Sequence, residues 1–462
     1  LKVRKLSRVI CAGLLAALSV PLAAESFDLD ALESFVPALM RKRGTAGLQI
    51  CIESGPDRLC RSYGVRDMEK SPVDDNTLFL AAGLLRPFSA LAVDRSRDVL
   101  LDGKPMRMRD LLSESAGLGP VEHLGLPGKP LPHVEPSIRL RLRPGVPSAS
   151  AANWFLISRD SGPERFLGEA ASKINALGGN SLRAQVTDGE IVIGGGQKSA
   201  GLTVAGYRLF LTPVPPSAVP AMDGLWVNAR NYQALFSRLP ASSFELLARN
   251  PDAGPGLSGT GAGLEILEDP CAAGTFARVQ GERGTFSALA ASRPGWSIVI
   301  LANSGTAHSL RELFHFVRKW VLPARCEFYT RTLEPDEQIE GDYRPLETAS
   351  PGFATSLFQD LRIEASDGGP VITGMFDAAS SADLVRMEDG SYMVRGGAAM
   401  DGWKLAFQKE NGKVTGFVSE RSSYKRIPAL FSMRGYPVLL TIILFAALGS
   451  LVVFLIRKRR ST

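Results

Sequence analysis

Apolar positions in the first third of the body switch period once. Leu32, Phe35, Val36 and Leu39 recur at helical spacing, which predicts an amphipathic helix over 29–43. The alternation that follows, over 48–53 and 58–65 around Gly55-Pro56-Asp57, predicts a β-hairpin. Residues 77–250 read as helical or loop-rich, interrupted by Pro- and Gly-rich stretches at 117–147 and 213–220. Strand patterns return at 263–268, 275–280, 285–292 and 297–302, and a helix over 309–321 closes the region. Strands at both ends of one domain, 25–330, with helices inserted between them, imply an α+β fold with an antiparallel sheet flanked by helices. A second texture begins after Leu333. Short strands at 356–365, 370–376, 392–395, 403–409 and 414–419, separated by Asp-Gly, Gly-Gly and Asn-Gly turns, predict a small all-β barrel or sandwich over 335–428.

The ends carry a different pattern. Lys2, Arg4, Lys5 and Arg8 precede a short apolar run, and Pro21-Leu22-Ala23-Ala24 follows it. That order predicts a signal peptide over 1–24, cut after Ala24, with Cys11 inside its apolar core. Residues 437–456 hold no charge and lead directly into Arg457, Lys458, Arg459 and Arg460. The expectation is one transmembrane helix with a basic cytoplasmic tail at 457–462. Together these place the chain in a bacterial inner membrane as a single-pass protein. Its large domain would lie in the periplasm or outside.

Composition adds little to that picture and removes several classes. The net charge of +6 is smaller than the eight positive charges at the two ends, so the body is near neutral and nothing points to nucleic acid. No His or Cys spacing resembles a metal site, and no cofactor is implied. Beyond the leader, Cys51, Cys60, Cys271 and Cys326 permit two disulfides in three pairings. Cys51 and Cys60 flank the hairpin turn, so a cross-strand bridge is expected there, which leaves Cys271 with Cys326.

Several short motifs in order resemble one family. Ala46-Gly47-Leu48 and Tyr63-Gly64-Val65 bracket the hairpin. Thr77-Leu78-Phe79 leads to Arg86-Pro87-Phe88-Ser89-Ala90-Leu91, and Arg109-Asp110-Leu111-Leu112 precedes Gly117-Leu118. Arg143-Pro144-Gly145, Ser161-Gly162, Gly284-Thr285-Phe286-Ser287 and Ile300-Leu301-Ala302-Asn303 complete the set. In this the chain resembles the serine β-lactamase-like hydrolases: class C β-lactamases, penicillin-binding proteins and D-alanyl-D-alanine carboxypeptidases. The resemblance implies a β-lactamase/transpeptidase-like domain and acyl transfer through a serine. Gly341-Asp342-Tyr343-Arg344 is similar to the start of the lipocalin-like accessory domain found behind some of these hydrolases, with Tyr424-Lys425-Arg426 as its last strand.

The reacting groups of that family are missing. Its Ser-x-x-Lys motif aligns with Gly83-Leu84-Leu85-Arg86, where glycine offers no nucleophile and arginine cannot accept a proton. The tyrosine of Tyr-x-Asn falls on Ser150 or Ala151, ahead of Asn153. The Lys/His-x-Gly motif reads Val279-Gln280-Gly281, so charge is lost there as well. Spacing from Gly83 to Leu111 and from Asn153 to Ser161 is shorter than the family's. The resemblance therefore implies a pseudoenzyme, a binding or scaffold protein in which Arg86 is the candidate for holding a carboxylate ligand or a protein partner. The competing expectation is a serine peptidase or esterase with a displaced nucleophile among Ser89, Ser113, Ser115, Ser148 and Ser150. An open, partly apolar groove beside Gly83 and Gly281 would favour binding, and side chains filling it would favour a scaffold.

Overall fold

The computed structural model describes residues 27–116, 118, 151–206, 208–214, 219–249, 259–269, 274–305, 307–322, 337–345, 360–366, 369–374, 381–387, 390–395, 404–419, 423–429, 432 and 441. The first helix, α1 (Leu29–Arg43), has the expected bounds. The Asp28 carboxylate accepts from the Ala31 N–H at its start, and Gly44 ends it in the left-handed conformation. Leu32, Val36 and Leu39 are its buried stripe. β1 (Gly47–Ser54) and β2 (Asp57–Gly64) form the hairpin, in a register that sets Cys51 opposite Cys60, and these two residues are disulfide-bonded. Cys271 and Cys326 lie outside the described residues, as does the expected signal peptide over 1–24.

The middle of the chain is richer in strands than its pattern suggests. β3 (Phe79–Leu80) leads into a short helix, α2 (Arg86–Ser89), and a hairpin of β4 (Asp98–Leu101) and β5 (Lys104–Arg107) precedes α3 (Met108–Leu112). Helices α4 (Ala151–Ser161) and α5 (Pro163–Gly178) come next. β6 (Ala184–Thr187), β7 (Glu190–Ile193), β8 (Leu202–Ala205) and β9 (Arg208–Leu211) follow as two hairpins, then α6 (Pro220–Asp223), β10 (Leu225–Val227) and α7 (Ala229–Phe236). These strands are two to four residues long, too short to show alternation. β3, β10, β7 and β6 nevertheless assemble into a four-stranded sheet.

β11 (Ala248–Arg249), β12 (Gly259–Thr260), β13 (Glu265–Glu268), β14 (Thr275–Arg283), β15 (Phe286–Arg293) and β16 (Trp296–Ala302) complete the main sheet. Its order is β11-β12-β13-β14-β15-β16-β1-β2, so β1 pairs with the last strand of the domain, as expected for strands drawn from both chain ends. Period two along β15 decides both faces. Ala288 and Ala290 join the core against α5 and α7, and Leu289 and Ala291 join the core against α1 and α8 (Ala307–Phe316). A single π turn over Val317–Val321 carries α8 to the predicted end of the helix.

Behind this domain, β17 (Gly341–Pro345), β18 (Leu361–Glu364), β19 (Val371–Gly374), β20 (Ala382–Arg386), β21 (Tyr392–Arg395), β22 (Lys404–Glu410), β23 (Lys413–Val418) and β24 (Ser423–Ile427) close into a barrel. Tyr343, Phe417 and Tyr424 fill it, ring against ring. Lys404 of the barrel meets Glu268 of β13 at 2.7 Å.

The single-pass inner-membrane expectation does not stand. Among the described residues no helix is long and apolar enough to cross a membrane. The span expected at 437–456 lies outside them apart from Thr441, and so does the tail at 457–462.

Candidate functional site

The corner where the resemblance puts the reacting groups is assembled from β3, the turn after it, β14 and the end of α3. Ala81 N–H bonds to Leu225 O at 2.7 Å, which fixes the chain as it leaves β3. Gly83 then adopts φ +79°, a conformation that side-chain-bearing residues rarely take. A helix therefore cannot begin at Gly83, as the family motif requires. It begins at Arg86 and runs a single α turn before a 3₁₀ turn over Ala90–Ala92.

Gly83 and Gly281 touch through their backbones. A Cβ on Gly83 would lie 2.8 Å from Gln280 O, and one on Gly281 would lie 2.2 Å from Ala82 O. Two of the three family motif positions are thus in direct contact, with no room between them for a methyl group. Val279 points its fully buried side chain into the core. The groove that would favour ligand binding at this place is filled by protein.

Arg86 is the plug. Its Nε donates to Gly83 O at 3.0 Å, Nη1 to Glu114 Oε1 at 2.7 Å and Nη2 to Gln280 O at 2.6 Å. One guanidinium therefore ties together the serine position, the strand of the third motif and the loop after α3. Gly263 closes the fourth side, where a Cβ would meet the Arg86 backbone at 2.8 Å. The carboxylate expected for Arg86 is thus supplied by Glu114 of the same chain. Glu114 is 3% exposed, takes φ +54°, and also accepts from the Trp154 indole N–H at 3.0 Å. A non-glycine residue held in that conformation stores of order 1–3 kcal/mol of strain. Asn153, the surviving motif residue, is buried one position ahead of Trp154 in α4, and Ala151 begins that helix.

The candidate hydroxyls are bound up elsewhere. Ser89 Oγ donates to Ala221 O at 2.6 Å and is fully buried. Ser113 and Ser115 hydrogen-bond to each other at 2.8 Å, and Ser113 Oγ also lies 2.9 Å from Arg109 O. Glu114, the base suggested by sequence for both, faces Arg86 instead. Ser148 and Ser150 lie outside the described residues. Motif reading missed Tyr232 of α7, a phenol in this neighbourhood, which donates to Leu84 O at 3.0 Å. Complete burial drives its pKa well above the usual tyrosine range, so it stays protonated and structural. Glu190 caps the same end of β14: it accepts from Arg283 at 2.7 Å and from the Trp226 indole at 2.6 Å. Among the described residues no group of three His, Cys, Asp or Glu side chains is placed to hold a metal.

At the opposite end of the same strands the surface opens. A groove of about 630 Å³ lies between the β1–β2 and β15–β16 turns and the segment after α7. Leu239, Phe244, Ile266 and Ala277 line it, with Ser297 and Arg293. No sequence motif marks it, because it is made from strand ends and a short 3₁₀ turn.

No family model and no curated protein matches the chain. Solved structures do. A crystal structure of SurE is similar with a TM-score of 0.51 and 17% identity, covering 86% of this chain and 98% of that one. An octameric penicillin-binding protein homologue from Pyrococcus abyssi gives 0.49 and 16%, covering 86% and 99%. A β-lactamase/D-alanine carboxypeptidase from Pseudomonas syringae gives 0.46 and 16%, covering 62% and 97%. At such identities the likeness concerns fold alone. The sheet built from both ends of the domain, the helices on each face and the closed barrel behind it are the α+β domain and small all-β domain that the sequence pattern predicts, in a fold shared with the SurE structure.

Proposed function

We propose that this chain is a pseudoenzyme: a β-lactamase-like fold kept as a binding or scaffold protein, with no acyl transfer at the old reaction corner. The observation that carries the reading is the Arg86 clamp, three hydrogen bonds that join Gly83, Glu114 and Gln280 across the place where substrate would enter. A permanently charged guanidinium accepts no proton, and three of its five donors are already used within this chain. The filled corner favours a scaffold that meets a protein partner over one that holds a carboxylate ligand at Arg86. A hydrolase with a displaced serine fits less well, since Ser89, Ser113 and Ser115 are each buried and hydrogen-bonded away from any base.

The test is hydrolysis of nitrocefin and of p-nitrophenyl esters by the wild-type chain and by Ser89→Ala, Ser113→Ala and Ser115→Ala. All four should match the protein-free control. Wild-type turnover that one of these substitutions abolishes would identify a working nucleophile and end the pseudoenzyme reading.

A further inference from the structure

The groove at the far end of β14–β16 has the size and lining of a small-molecule site, and its volume of about 630 Å³ falls within the 300–1,000 Å³ typical of such sites. Its apolar walls come from Leu239, Phe244, Ile266 and Ala277. The charged groups on its rim are paired within the protein. Arg293 shares Asp269 with Arg318, at 2.6 Å from Arg293, and Glu53 pairs with Arg58 at 2.8 Å. With these side chains already engaged, the groove suits a neutral ligand.

One polar group is built into the wall. Ser297 is 4% exposed, and its Oγ accepts from Gln233 Nε2 at 3.1 Å. Gln233 is its only side-chain partner among the described residues, where the Ser297 proton has no acceptor and the buried Gln233 Oε1 also lacks a partner. A fully buried glutamine thus orients a buried hydroxyl whose donor is left for an incoming acceptor. The unspent donor is what separates this groove from a casual surface hollow, because buried polar groups normally find partners.

We propose that this groove binds a neutral, largely apolar small molecule carrying one carbonyl or ether acceptor, which takes the Ser297 proton while its body lies against Leu239, Phe244 and Ile266. The proposal is independent of the closed corner and survives even if residual hydrolysis is found there.

A solvatochromic naphthalene ketone, 6-propionyl-2-(dimethylamino)naphthalene, is a suitable probe, being neutral and carrying one carbonyl. Titrated into the full chain it should show saturable one-to-one binding with a blue-shifted emission. Ala241 and Thr275 line the groove and are exposed, so Ala241→Trp and Thr275→Trp fill it without disturbing a core. Each should keep the wild-type melting temperature and weaken binding at least about 10-fold. Ser297→Ala should weaken the ketone about 3- to 10-fold. It should leave unchanged the competing affinity of 2-(dimethylamino)naphthalene, which lacks the carbonyl. Absence of saturable binding to folded wild type overturns the proposal. So does wild-type affinity in both tryptophan variants, or an equal loss of both naphthalenes in Ser297→Ala.

Discussion

β14 serves two places on one face of the sheet, and they have opposite fates. Near Gly281 the chain has closed on itself: backbone lies against backbone, and Arg86 donates to Gly83, Glu114 and Gln280. Near Ala277, four residues back along the strand, the face opens into a groove whose polar groups are only partly used. The difference teaches where the fold tolerates ligands. Loss of a nucleophile alone would leave a cleft. Here glycine-to-glycine contact and a buried ion pair fill the corner, and among the described residues a groove opens where the strands end.

The sharpest way to break the comparison is to unseal the corner. Glu114→Ala leaves the Arg86 guanidinium buried without its carboxylate, and should lower stability by about 3–5 kcal/mol in urea unfolding. Replacing both partners, Arg86→Met with Glu114→Met, should recover most of that loss, because no uncompensated charge remains. A single-variant loss under about 1 kcal/mol would show the corner to be held by something other than the pair.

Gly83→Ser is the next largest effect. It looks like a repair of the family motif, yet it forces a side chain onto φ +79° with its Cβ 2.8 Å from Gln280 O. A loss of about 2–4 kcal/mol is expected from strain and overlap together. No hydrolysis should appear, alone or with Arg86→Lys, because catalytic groups act as a unit. A stable, active Gly83→Ser chain would mean that the corner opens readily.

The third prediction probes the strand pair at the groove end. Glu53 and Gly55, beside the Cys51–Cys60 bridge, contribute to the groove wall. Reduction of that bridge, or Cys51→Ala with Cys60→Ala, should cost about 2–3 kcal/mol by freeing the unfolded chain. The clamp at Arg86 should be unaffected, and Tyr232 should still titrate far above the usual range. Non-reducing peptide mapping checks the bridge itself, and a Cys51–Cys271 link would contradict the register.

The smallest effect lies behind the sheet. His315 of α8 is partly buried beside Arg318, Arg278 and Arg311, and desolvation first, then those cations, holds its pKa well below the ordinary value of 6.5. It is neutral when folded and takes a proton when unfolded, so stability is fully present above about pH 6.5 and falls as pH drops below it. The contribution is at most about 1.4 kcal/mol per pH unit. His315→Gln should flatten the stability profile between about pH 6.5 and 5, and an unchanged slope would show that His315 is charged in the folded chain.

Much of the frame was legible because long elements carry their period openly. Leu32, Val36 and Leu39 set α1, and the alternation in β14 to β16 set the sheet. Shorter pieces were not. β6 and β7 have four residues each, and only the Asp188-Gly189 turn between them signals a hairpin. In the barrel, β17 is marked only through the resemblance at 341–344, and the pattern does not mark β20 at all. At the Gly83–Gly281 corner, the motifs name the positions but not the contacts they make. Arg86 meets Glu114 across 28 residues of chain and Gln280 across 194, distances that no local pattern encodes. Gly83 reads as a lost serine in the sequence, whereas in the fold its positive φ and its contact with Gly281 make it a structural requirement.

The central claim, a corner sealed by Arg86 and unable to form an acyl-enzyme, is tested most directly by covalent labelling. The folded chain would be incubated with a fluorescent penicillin and, separately, with a fluorophosphonate probe, then resolved on a denaturing gel and by intact mass. The account predicts no adduct with either reagent. A stoichiometric adduct mapped to any serine, whether Ser89, Ser113, Ser115 or another, would contradict it.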